Sequence, residues 1–407
     1  MGPLQDIKVL DLSRILAGPW ATQCLADFGA TIWKIEKPVT GDDTRHWGPP
    51  WLMDAAGTET GEAAYYLAVN RGKRSLAIDF TKPAGQRLIR ALAMRADVLI
   101  ENFKVGTLAK YKLDYAELRG LNPRLIYCSI SAFGQDGPDA DGAGYDAIIQ
   151  AMSGLMSITG VPDGEPGAGP VKVGVAVSDL ITGLYAVAAI TAALHERELS
   201  GRGQAIDLAL LDTQVAALAN QSLNYLISGE VPGRQGTAHP NIVPYQAFAT
   251  HDGYLMLAVG NDHQFASFCE IAGRPELASD DRYRTNAGRV ANRAPLIPEI
   301  DRLCRQKSTN DWLSALRAAG VPCGPINDLA QVFEEPQVRH RKMRFELPHP
   351  LGGTVPQVRN PVLYSRTSLK YSDPPPLLGQ HTSEVLGREL GLTAEELGTL
   401  RTDGVIG

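Results

Sequence analysis

A serine–aspartate pair, Ser178-Asp179, stands between two strongly apolar patterns. The preceding run, residues 171–177, has valine at every second position and predicts a buried strand. The following run, residues 180–195, predicts a long helix. Either polar residue at such a junction can cap the helix by accepting its free N–H groups, which is the commoner role. The carboxylate can also act as a nucleophile or a base.

Motifs of several other chemistries are missing from the chain. It has no Gly-x-Ser-x-Gly elbow, no Walker loop and no Gly-x-Gly-x-x-Gly fingerprint, which disfavours a serine hydrolase, a nucleotide hydrolase and a nicotinamide dehydrogenase. The eight histidines are scattered without metal-ligand spacing, so we expect no metal site. Asp179 is therefore the best candidate for a reacting group.

Composition narrows the classes of function further. The chain has 407 residues, and its formal net charge of -6 disfavours a nucleic-acid interface. Its length and 44% hydrophobic content suit a large core and two domains. Five cysteines without a Cys-x-x-Cys pair indicate a reducing compartment. The N-terminus lacks a secretion signal and no apolar window reaches ~18 residues, so we expect a cytoplasmic protein without membrane contact.

Strand and helix patterns alternate along the first half of the chain, which predicts a doubly wound α/β fold. The predicted strands occupy residues 7–12, 31–36, 76–79, 97–101, 124–131 and 205–210. The predicted helices occupy residues 19–28, 83–95, 147–154, 180–195 and 212–226. Near Gly229 the alternation of strands and helices gives way to a long linker at residues 232–240. A small sheet predicted at residues 245–248 and 253–259 then indicates a second domain.

Polar and aromatic residues follow several of the predicted strands. Because ligands of open α/β sheets lie beyond the carboxyl ends of the strands, Asn102 and Phe103 are placed to hydrogen-bond and stack on a base. Lys37 follows the second strand, where it suits a phosphate on a ribose or is simply a solvated lysine. Three more cations are predicted to share one turn and would also suit a phosphate: Arg71, Lys73 and Arg74.

A series of short motifs, taken in order, resembles the family III CoA-transferases. This group includes formyl-CoA:oxalate and succinyl-CoA:glutarate CoA-transferases and the related α-methylacyl-CoA racemases. Each motif is short, but their order and spacing are specific and span nearly the whole chain. The motifs are Val9-Leu-Asp-Leu-Ser, Ala17-Gly-Pro, Ile32-Trp-Lys-Ile-Glu-Lys-Pro, Gly41-Asp-Asp-Thr-Arg, Lys73-Arg-Ser, Asp97-Val-Leu-Ile-Glu-Asn-Phe, Gly201-Arg-Gly-Gln and Leu378-Gly-Gln-His-Thr.

The resemblance implies a fold, an assembly and a set of site residues. The fold is a Rossmann-like large domain built from both chain ends, residues 1–225 and 330–407, with a smaller α/β domain at residues 226–329. Two chains form an interlocked, ring-like homodimer. Asp179 is the nucleophile, and CoA is a substrate rather than a tightly bound cofactor. The implied CoA contacts are Arg14, Leu16, Ala17, Lys37, Ile78, Asn102, Phe103 and Lys110.

The implied reaction moves CoA from an acyl-CoA donor, with succinyl-CoA favoured, to a small carboxylic acid. Asp179 would form a mixed anhydride and then an enzyme–CoA thioester. A racemase of the same fold needs a second acid/base, and the racemases carry a histidine where this chain has Tyr145. Tyrosine is a poor base at neutral pH, so the transferase is favoured. A non-catalytic acyl-CoA-binding protein is the alternative from another class, and the intact Asp179 argues against it.

The acceptor is expected to be a small dicarboxylic acid. Arg45 and His46 lie in a loop rich in glycine and proline, which fits either a substrate loop or a plain surface loop. With Arg14 they offer cations for a second carboxylate, and Tyr145 belongs to the same substrate region. Glutarate, oxalate, mesaconate and citramalate all fit. Residues 236–246 and 258–262 look more like the succinyl-CoA:glutarate branch than the oxalate branch.

Overall fold

The computed structural model describes residues 2–407, which form two compact units. The first unit comprises the chain up to Leu155, together with Lys172–Glu230 and Arg339–Gly407, so that it contains both ends of the chain. The second unit comprises Met156–Val171 and Val231–Val338. The structure thus groups residues 156–171 with the smaller unit, whereas the sequence interpretation assigns them to the large domain.

The strands are short and spread along the whole chain. They are β1 (Lys8–Asp11), β2 (Thr31–Glu36), β3 (Trp51–Met53), β4 (Glu59–Ala63), β5 (Lys73–Ala77), β6 (Val98–Glu101), β7 (Ile126–Ser131), β8 (Gly160–Val161), β9 (Gly169–Pro170), β10 (Ala205–Ala209), β11 (Tyr245–Ala249), β12 (Tyr254–Ala258), β13 (Cys323–Pro325), β14 (Arg344–Pro348) and β15 (Thr354–Val358).

The helices fill most of the intervals between the strands. They are α1 (Ala17–Asp27), α2 (Ala64–Ala68), α3 (Pro83–Ala93), α4 (Tyr115–Leu121), α5 (Asp146–Met152), α6 (Leu155–Ile158), α7 (Val177–Ser200), α8 (Leu210–Ala217), α9 (Asn220–Ser228), α10 (Asp262–Ile271), α11 (Glu276–Ser279), α12 (Asn286–Ala291), α13 (Arg293–Cys304), α14 (Thr309–Ala318), α15 (Leu329–Glu334), α16 (Pro336–His340), α17 (Thr382–Leu390) and α18 (Ala394–Thr402). Two 3₁₀ turns occupy Asp43–His46 and Ala109–Tyr111.

The main sheet of the first unit has six parallel strands in the order β10-β7-β6-β1-β2-β5. Counted along the chain within this sheet, the order is 3-2-1-4-5-6, which defines one class of doubly wound sheets. The direction of winding reverses between β1 and β6. In such sheets ligands bind in the crevice beyond the carboxyl ends of the strands at this point of reversal. The mixed α/β fold expected from the sequence is confirmed.

Two apolar cores lie on the two faces of the main sheet because successive strand residues point to opposite faces. Leu10 and Trp33 belong to one core, whereas their neighbours Val9 and Ile32 belong to the other. Helices α3, α4, α17 and α18 cover the first face, to which α17 contributes Leu386. Helices α1, α5 and α7 cover the second face. The C-terminal segment therefore completes a core that the N-terminal strands begin.

Residues 171–177 do not form the strand that the valine pattern predicts. Val171 and Val175 are exposed, with 49% and 56% of their surface accessible. The segment is tied to α5 instead, because Gln150 accepts from the Val173 N–H at 2.9 Å. Helix α7 begins at Val177, earlier than predicted. The predicted helix at residues 212–226 is also divided, since Ala219 has a φ of 47° between α8 and α9.

Helix α7 packs closely on α1 through a glycine. A Cβ built on Gly183 would lie 2.7 Å from the carbonyl oxygen of Ala17 and 3.0 Å from Cδ1 of Trp20. We expect Gly183→Ala to lower the free energy of unfolding by about 1–3 kcal/mol, because the clash outweighs the gain in helix propensity. Urea unfolding would measure the change.

The matched control for this substitution is Gly120→Ala in α4. Gly120 is also helical, but nothing lies within 4 Å of its added Cβ. Its replacement should raise the free energy of unfolding by roughly 0.5–1 kcal/mol through helix propensity alone. If Gly183→Ala stabilised the protein as Gly120→Ala is expected to do, the close packing of α7 on α1 would be contradicted.

Among residues 2–407, α7 is the one helix long and apolar enough to cross a bilayer by length and composition. The sequence criterion of an uninterrupted apolar window does not anticipate it. A core helix of a globular unit can meet the same length and hydropathy criteria. Here α7 packs against α1, and its Ser178, Thr182 and Arg197 side chains are buried within the first unit.

The second unit has its own antiparallel sheet and its own core. Strands β11, β12 and β13 pair in that order, and the first two correspond to the predicted small sheet. Phe248 and Leu255 from the sheet pack with Phe265 and Trp312 from α10 and α14. Asn261 and Ser308 cap these helices by accepting from Gln264 and Asp311 backbone N–H groups.

Candidate active site

Asp179 lies in the first turn of α7 but does not cap it. The N-cap is Ala176, which has no side chain able to accept a hydrogen bond. Asp146 of α5 takes this role, because its Oδ1 accepts from the backbone N–H groups of Ser178 at 2.8 Å and Asp179 at 3.3 Å. The capping role considered for Ser178 or Asp179 is therefore wrong. None of residues 2–407 donates a hydrogen bond to the Asp179 carboxylate, which leaves it available for chemistry.

A cavity of about 220 Å³ opens beside Asp179. Its walls come from the turn between β1 and α1, the segment after β6, the end of β7 and residues 140–145. It therefore lies where the winding of the sheet reverses, beyond the carboxyl ends of the strands. Five of the expected CoA contacts line it together with Tyr145: Arg14, Leu16, Ala17, Asn102 and Phe103.

Three further expected CoA contacts do not line this cavity. Lys37 is exposed just after β2, and Lys110 is exposed in the 3₁₀ turn Ala109–Tyr111. Ile78 follows β5 and is buried, where it bridges to Ile406 of the C-terminal segment. Lys37 and Ile78 follow the carboxyl ends of β2 and β5, at the same edge of the sheet as the cavity.

Arg14, Asn102 and Phe103 form one connected group on the cavity wall. The Asn102 side chain accepts from the Arg14 N–H at 2.8 Å and donates to the Arg14 carbonyl at 2.7 Å. The guanidinium carbon of Arg14 lies 5.3 Å from the centre of the Phe103 ring. Asn102 thus joins the segments after β1 and β6, and an exposed cation stands over an aromatic face.

The surroundings of Asp179 favour its neutral form. Burial and, second, the nearby Asp146 carboxylate raise the pKa of Asp179 to about 7. A carboxyl group with such a pKa is partly ionised at neutral pH, so the nucleophilic carboxylate form is present. Perturbed carboxyl groups of this kind in a cleft are typical of functional sites.

Activity that needs ionised Asp179 should rise with pH through about 7, the pKa of this group. Asp146→Asn removes the second cause of the raised pKa, so we expect the inflection of kcat/KM to move to lower pH. It should stay above the ordinary value of 3.8, because burial is the larger cause. The asparagine oxygen can still accept from Ser178 and Asp179, which preserves the cap of α7.

Asp212→Asn is the matched control for this pH profile. Asp212 is exposed in the first turn of α8, in the same unit, and does not contribute to the Asp179 pKa. Its variant should keep the inflection of the unmodified protein. An inflection that stays in place after Asp146→Asn would show that the Asp146 charge does not set the ionisation of the nucleophile.

Arg45 is not available as a cation for a substrate carboxylate. Its guanidinium forms a two-pronged pair with Glu36, with Nε–Oε2 and Nη2–Oε1 distances of 2.7 and 2.9 Å. It also donates to Tyr66 Oη at 2.6 Å and to the Pro376 carbonyl at 3.0 Å. Arg45 is buried, and Glu62 provides a further carboxylate. These donors are used within the fold, so the structure does not support the expected contact of Arg45 with a substrate carboxylate.

The three cations predicted to share a turn are likewise used internally. Lys73 lies in β5 rather than in a turn, fully buried, with Nζ 3.3 Å from Asp11 and 2.9 Å from the Asn70 side chain. Arg71 is buried against Asp27. Arg74 is half-buried in β5. A phosphate contact by this group is therefore not supported by the structure.

Tyr65 is a half-buried residue that the sequence analysis does not single out and whose pKa responds to the charges of the site. Burial and then the charges of Asp179 and Asp146 raise the pKa of Tyr65 to about 12. Its ring packs edge-on against Trp47 at 5.1 Å. Tyr145, which is 67% exposed, lines the cavity, whereas Tyr65 does not. No motif distinguishes Tyr65 from its buried neighbour Tyr66, so only the fold reveals it.

The fold and the site together define the class of this protein. A model of CoA-transferase family III matches residues 4–382. The chain belongs to CoA-transferase family III, and the family and enzyme class expected from its motifs are confirmed. CoA thioesters are substrates in this class of transferases, which agrees with a carboxylate in an open cavity.

Similar proteins agree over nearly the whole chain. A succinate–glutarate CoA-transferase of Agrobacterium fabrum is 53% identical over 384 residues, 94% of this chain and 95% of its own. A succinyl-CoA:glutarate CoA-transferase of Homo sapiens is 45% identical, covering 99% of this chain and 90% of its own. The crystal structure of a CaiB/BaiF family protein from Brucella suis superposes with a TM-score of 0.83 at 48% identity, covering 95% of this chain and 99% of its own.

Proposed function

We propose that this protein transfers CoA from succinyl-CoA to glutarate or a closely similar dicarboxylic acid. The observation that carries the proposal is the unpaired Asp179 carboxylate on a cavity lined by Arg14, Leu16 and Phe103 at the reversal point of the sheet. The similarity to succinyl-CoA:glutarate CoA-transferases supports the choice of donor and acceptor. We also propose that the large domain is Rossmann-like and that it holds the nucleotide part of CoA.

The proposed chemistry balances without a metal or a redox group. The Asp179 carboxylate attacks the thioester carbonyl, the new C–O bond replaces the C–S bond, and CoA thiolate leaves behind a mixed anhydride. The thiolate then attacks the aspartyl carbonyl and releases succinate, which leaves CoA on Asp179. The acceptor carboxylate repeats these steps in reverse order. Asp179 is regenerated as a carboxylate, and no proton is gained or lost overall.

The N-terminus of helix α1 borders the cavity, where it can stabilise negative charge on the substrate. Its N-cap, Leu16, has no capping side chain, and the first N–H groups of a helix have no partner within it. Leu16 and Ala17 line the cavity together with Asp179, so the start of α1 borders the same space. A helix N-terminus favours a phosphate or a developing oxyanion. Tyr145 lines the same cavity as Asp179 and can add a hydroxyl group there.

The test incubates the protein with succinyl-CoA and a panel of free acids: glutarate, oxalate, mesaconate, citramalate and acetate. Mass spectrometry follows new CoA thioesters. We expect glutaryl-CoA to form fastest. Acetyl-CoA or oxalyl-CoA as the main product would contradict the proposed acceptor. Uptake of deuterium at the α-carbon of a 2-methylacyl-CoA, with no new thioester, would instead favour the racemase. Binding of CoA without either reaction would favour a non-catalytic acyl-CoA-binding protein.

We further propose that the protein works as a homodimer, in the interlocked form that the sequence resemblance implies. Helix α9 supports the proposal, because Leu226 and Ile227 are 71% and 82% exposed in the single chain. None of the residues of α9 is buried, whereas a stable amphipathic helix usually covers its apolar face. Multi-angle light scattering should give twice the chain mass of 43.8 kDa. A monomer at micromolar concentration would refute the dimer.

A further inference from the structure

The turn between β1 and α1 contains a strained residue at the cavity. Ile15 has a φ of 70°, in the left-handed region that β-branched residues rarely adopt. It lines the cavity between Arg14 and Leu16. Strain of this kind persists only where neighbouring groups impose it, and it is found preferentially at ligand-binding sites. The group that imposes it here should be visible in the structure.

Asp42 is that group. Both of its carboxylate oxygens accept from the Ile15 N–H, each at 3.3 Å. Asp42 is buried and is fixed in turn by Lys34 Nζ at 2.9 Å and by the backbone N–H of Thr44 at 3.0 Å. Although burial alone would raise it, Lys34 and Thr44 lower the pKa of Asp42 to about 2, so the carboxylate is charged.

Lys34 holds the other side of the same turn. Its Nζ donates to the Ser13 carbonyl at 3.1 Å, two residues before Ile15. The side chains of Lys34 and Asp42 are both fully buried, and Asp11 and Glu36 lie close enough to add to the charge balance. The ion pair therefore holds the turn by hydrogen bonds at Ser13 and at Ile15. Neither Lys34 nor Asp42 lines the cavity itself.

We propose that Asp42 is a positioning residue that keeps Ile15 in the left-handed conformation and so aims the Leu16 and Ala17 backbone N–H groups into the CoA cavity. The inference rests on the proposed function, because it assigns this turn to acyl-CoA binding. Without Asp42, Ile15 relaxes to a negative φ, and the peptide groups that follow it rotate away. Asp42 itself does not contact the substrate.

The test compares Asp42→Asn with Asp42→Asn/Ile15→Gly. The single variant should raise the Kd for CoA, measured by calorimetry, and the KM for succinyl-CoA by about ten-fold, with a smaller change in kcat. Hydrogen exchange at residues 14–17 should also become faster. Glycine adopts a φ of 70° without strain, so the double variant should recover most of the lost affinity. A purely structural role for Asp42 predicts no such rescue.

Asp79→Asn is the matched control. Asp79 makes the same local turn, with Oδ1 accepting from the Thr81 N–H at 3.0 Å and from its hydroxyl at 2.6 Å, but it holds no strained residue. Its variant should leave CoA affinity unchanged. If Asp42→Asn does not fold, Ile15→Val provides the second test. Valine stays β-branched and needs the clamp, so Ile15→Val should keep CoA affinity, and a ten-fold loss would overturn the inference.

The outcomes separate this inference from the proposed function. CoA binding and hydrogen exchange are measured without turnover, so they remain informative if no acid accepts CoA. Faster exchange at residues 14–17 with unchanged CoA affinity would overturn the positioning role while leaving the transferase intact. Equal losses in the single and double variants would also overturn it, because the effect of Asp42 would then not pass through Ile15.

Discussion

Asp179→Ala should abolish CoA transfer, with a loss of at least ~10³-fold in kcat, while the chain stays folded. The reason is chemical: the carboxylate forms the new bond to the acyl group, and no other described residue in the cavity wall carries a carboxylate. Intact-mass spectra should show a covalent CoA adduct with succinyl-CoA in the unmodified protein only. Hydroxylamine should release CoA from this adduct, because CoA is joined to the Asp179 carbonyl by a thioester bond.

Asp212→Ala is the control for this loss, because Asp212 occupies the corresponding first-turn position of α8 and is exposed. Its variant should retain transfer and the adduct. If Asp179→Ala kept transfer above about one hundredth of the normal rate, another group would have to be the nucleophile.

Asp179→Ala should also change the pH dependence of the free energy of unfolding. The folded-state pKa of Asp179, about 7, lies above its ordinary value of 3.8, so ionisation disfavours the folded state. This cost is absent below the ordinary value, grows between the two values and is complete above about 7. The substitution removes this cost. The Tm of Asp179→Ala minus the Tm of the unmodified protein should therefore be more positive in alkaline buffer than in acid. A parallel shift at all pH values would contradict the raised pKa.

Arg45→Met should destabilise the protein by about 3–5 kcal/mol, because it leaves buried Glu36 without its two-pronged partner. The methionine fills part of the space but supplies no donor, so the lost charge pairing dominates. Urea unfolding would measure the change. Arg14→Met is the control: its pair with Asp43 is exposed, so the loss of stability should be below about 1 kcal/mol.

A second variant tests the cause of this effect. Arg45→Met/Glu36→Leu removes both charges, and replacing a buried pair with apolar groups is often nearly neutral. The double variant should therefore recover much of the lost stability. If Arg45→Met instead raised the KM for the acceptor acid and left stability unchanged, Arg45 would be a substrate cation after all.

Much of the main sheet could be predicted because its central strands, β7, β6, β1 and β2, are almost entirely buried. The predicted span of β2, residues 31–36, agrees with the structure, and β6, β7 and β10 differ by one or two residues at their ends. Continuous apolar runs of this length have few alternatives. The position of Asn102 and Phe103 follows directly, since both lie just beyond the carboxyl end of β6.

The errors arise where a distant contact outweighs a local pattern. The valines at 171–177 satisfy strand propensity, yet they pair with no strand of the main sheet, and Gln150 accepts from the Val173 N–H instead. Asp179 is correctly placed at the start of a helix, but its neighbour Asp146 is 33 residues away in sequence. Arg45 presents the same problem: nothing local shows that Glu36 will bury and neutralise it.

The buried Lys34–Asp42 pair has a consequence for behaviour in concentrated salt. Mobile ions screen exposed charges over about 8–10 Å at physiological ionic strength, but they cannot enter between two side chains with no accessible surface. The Arg14–Asp43 pair, with side chains 45% and 50% exposed, has no such protection. In concentrated brine the exposed Arg14–Asp43 pair would open, whereas the turn held by Lys34 and Asp42 would keep its shape.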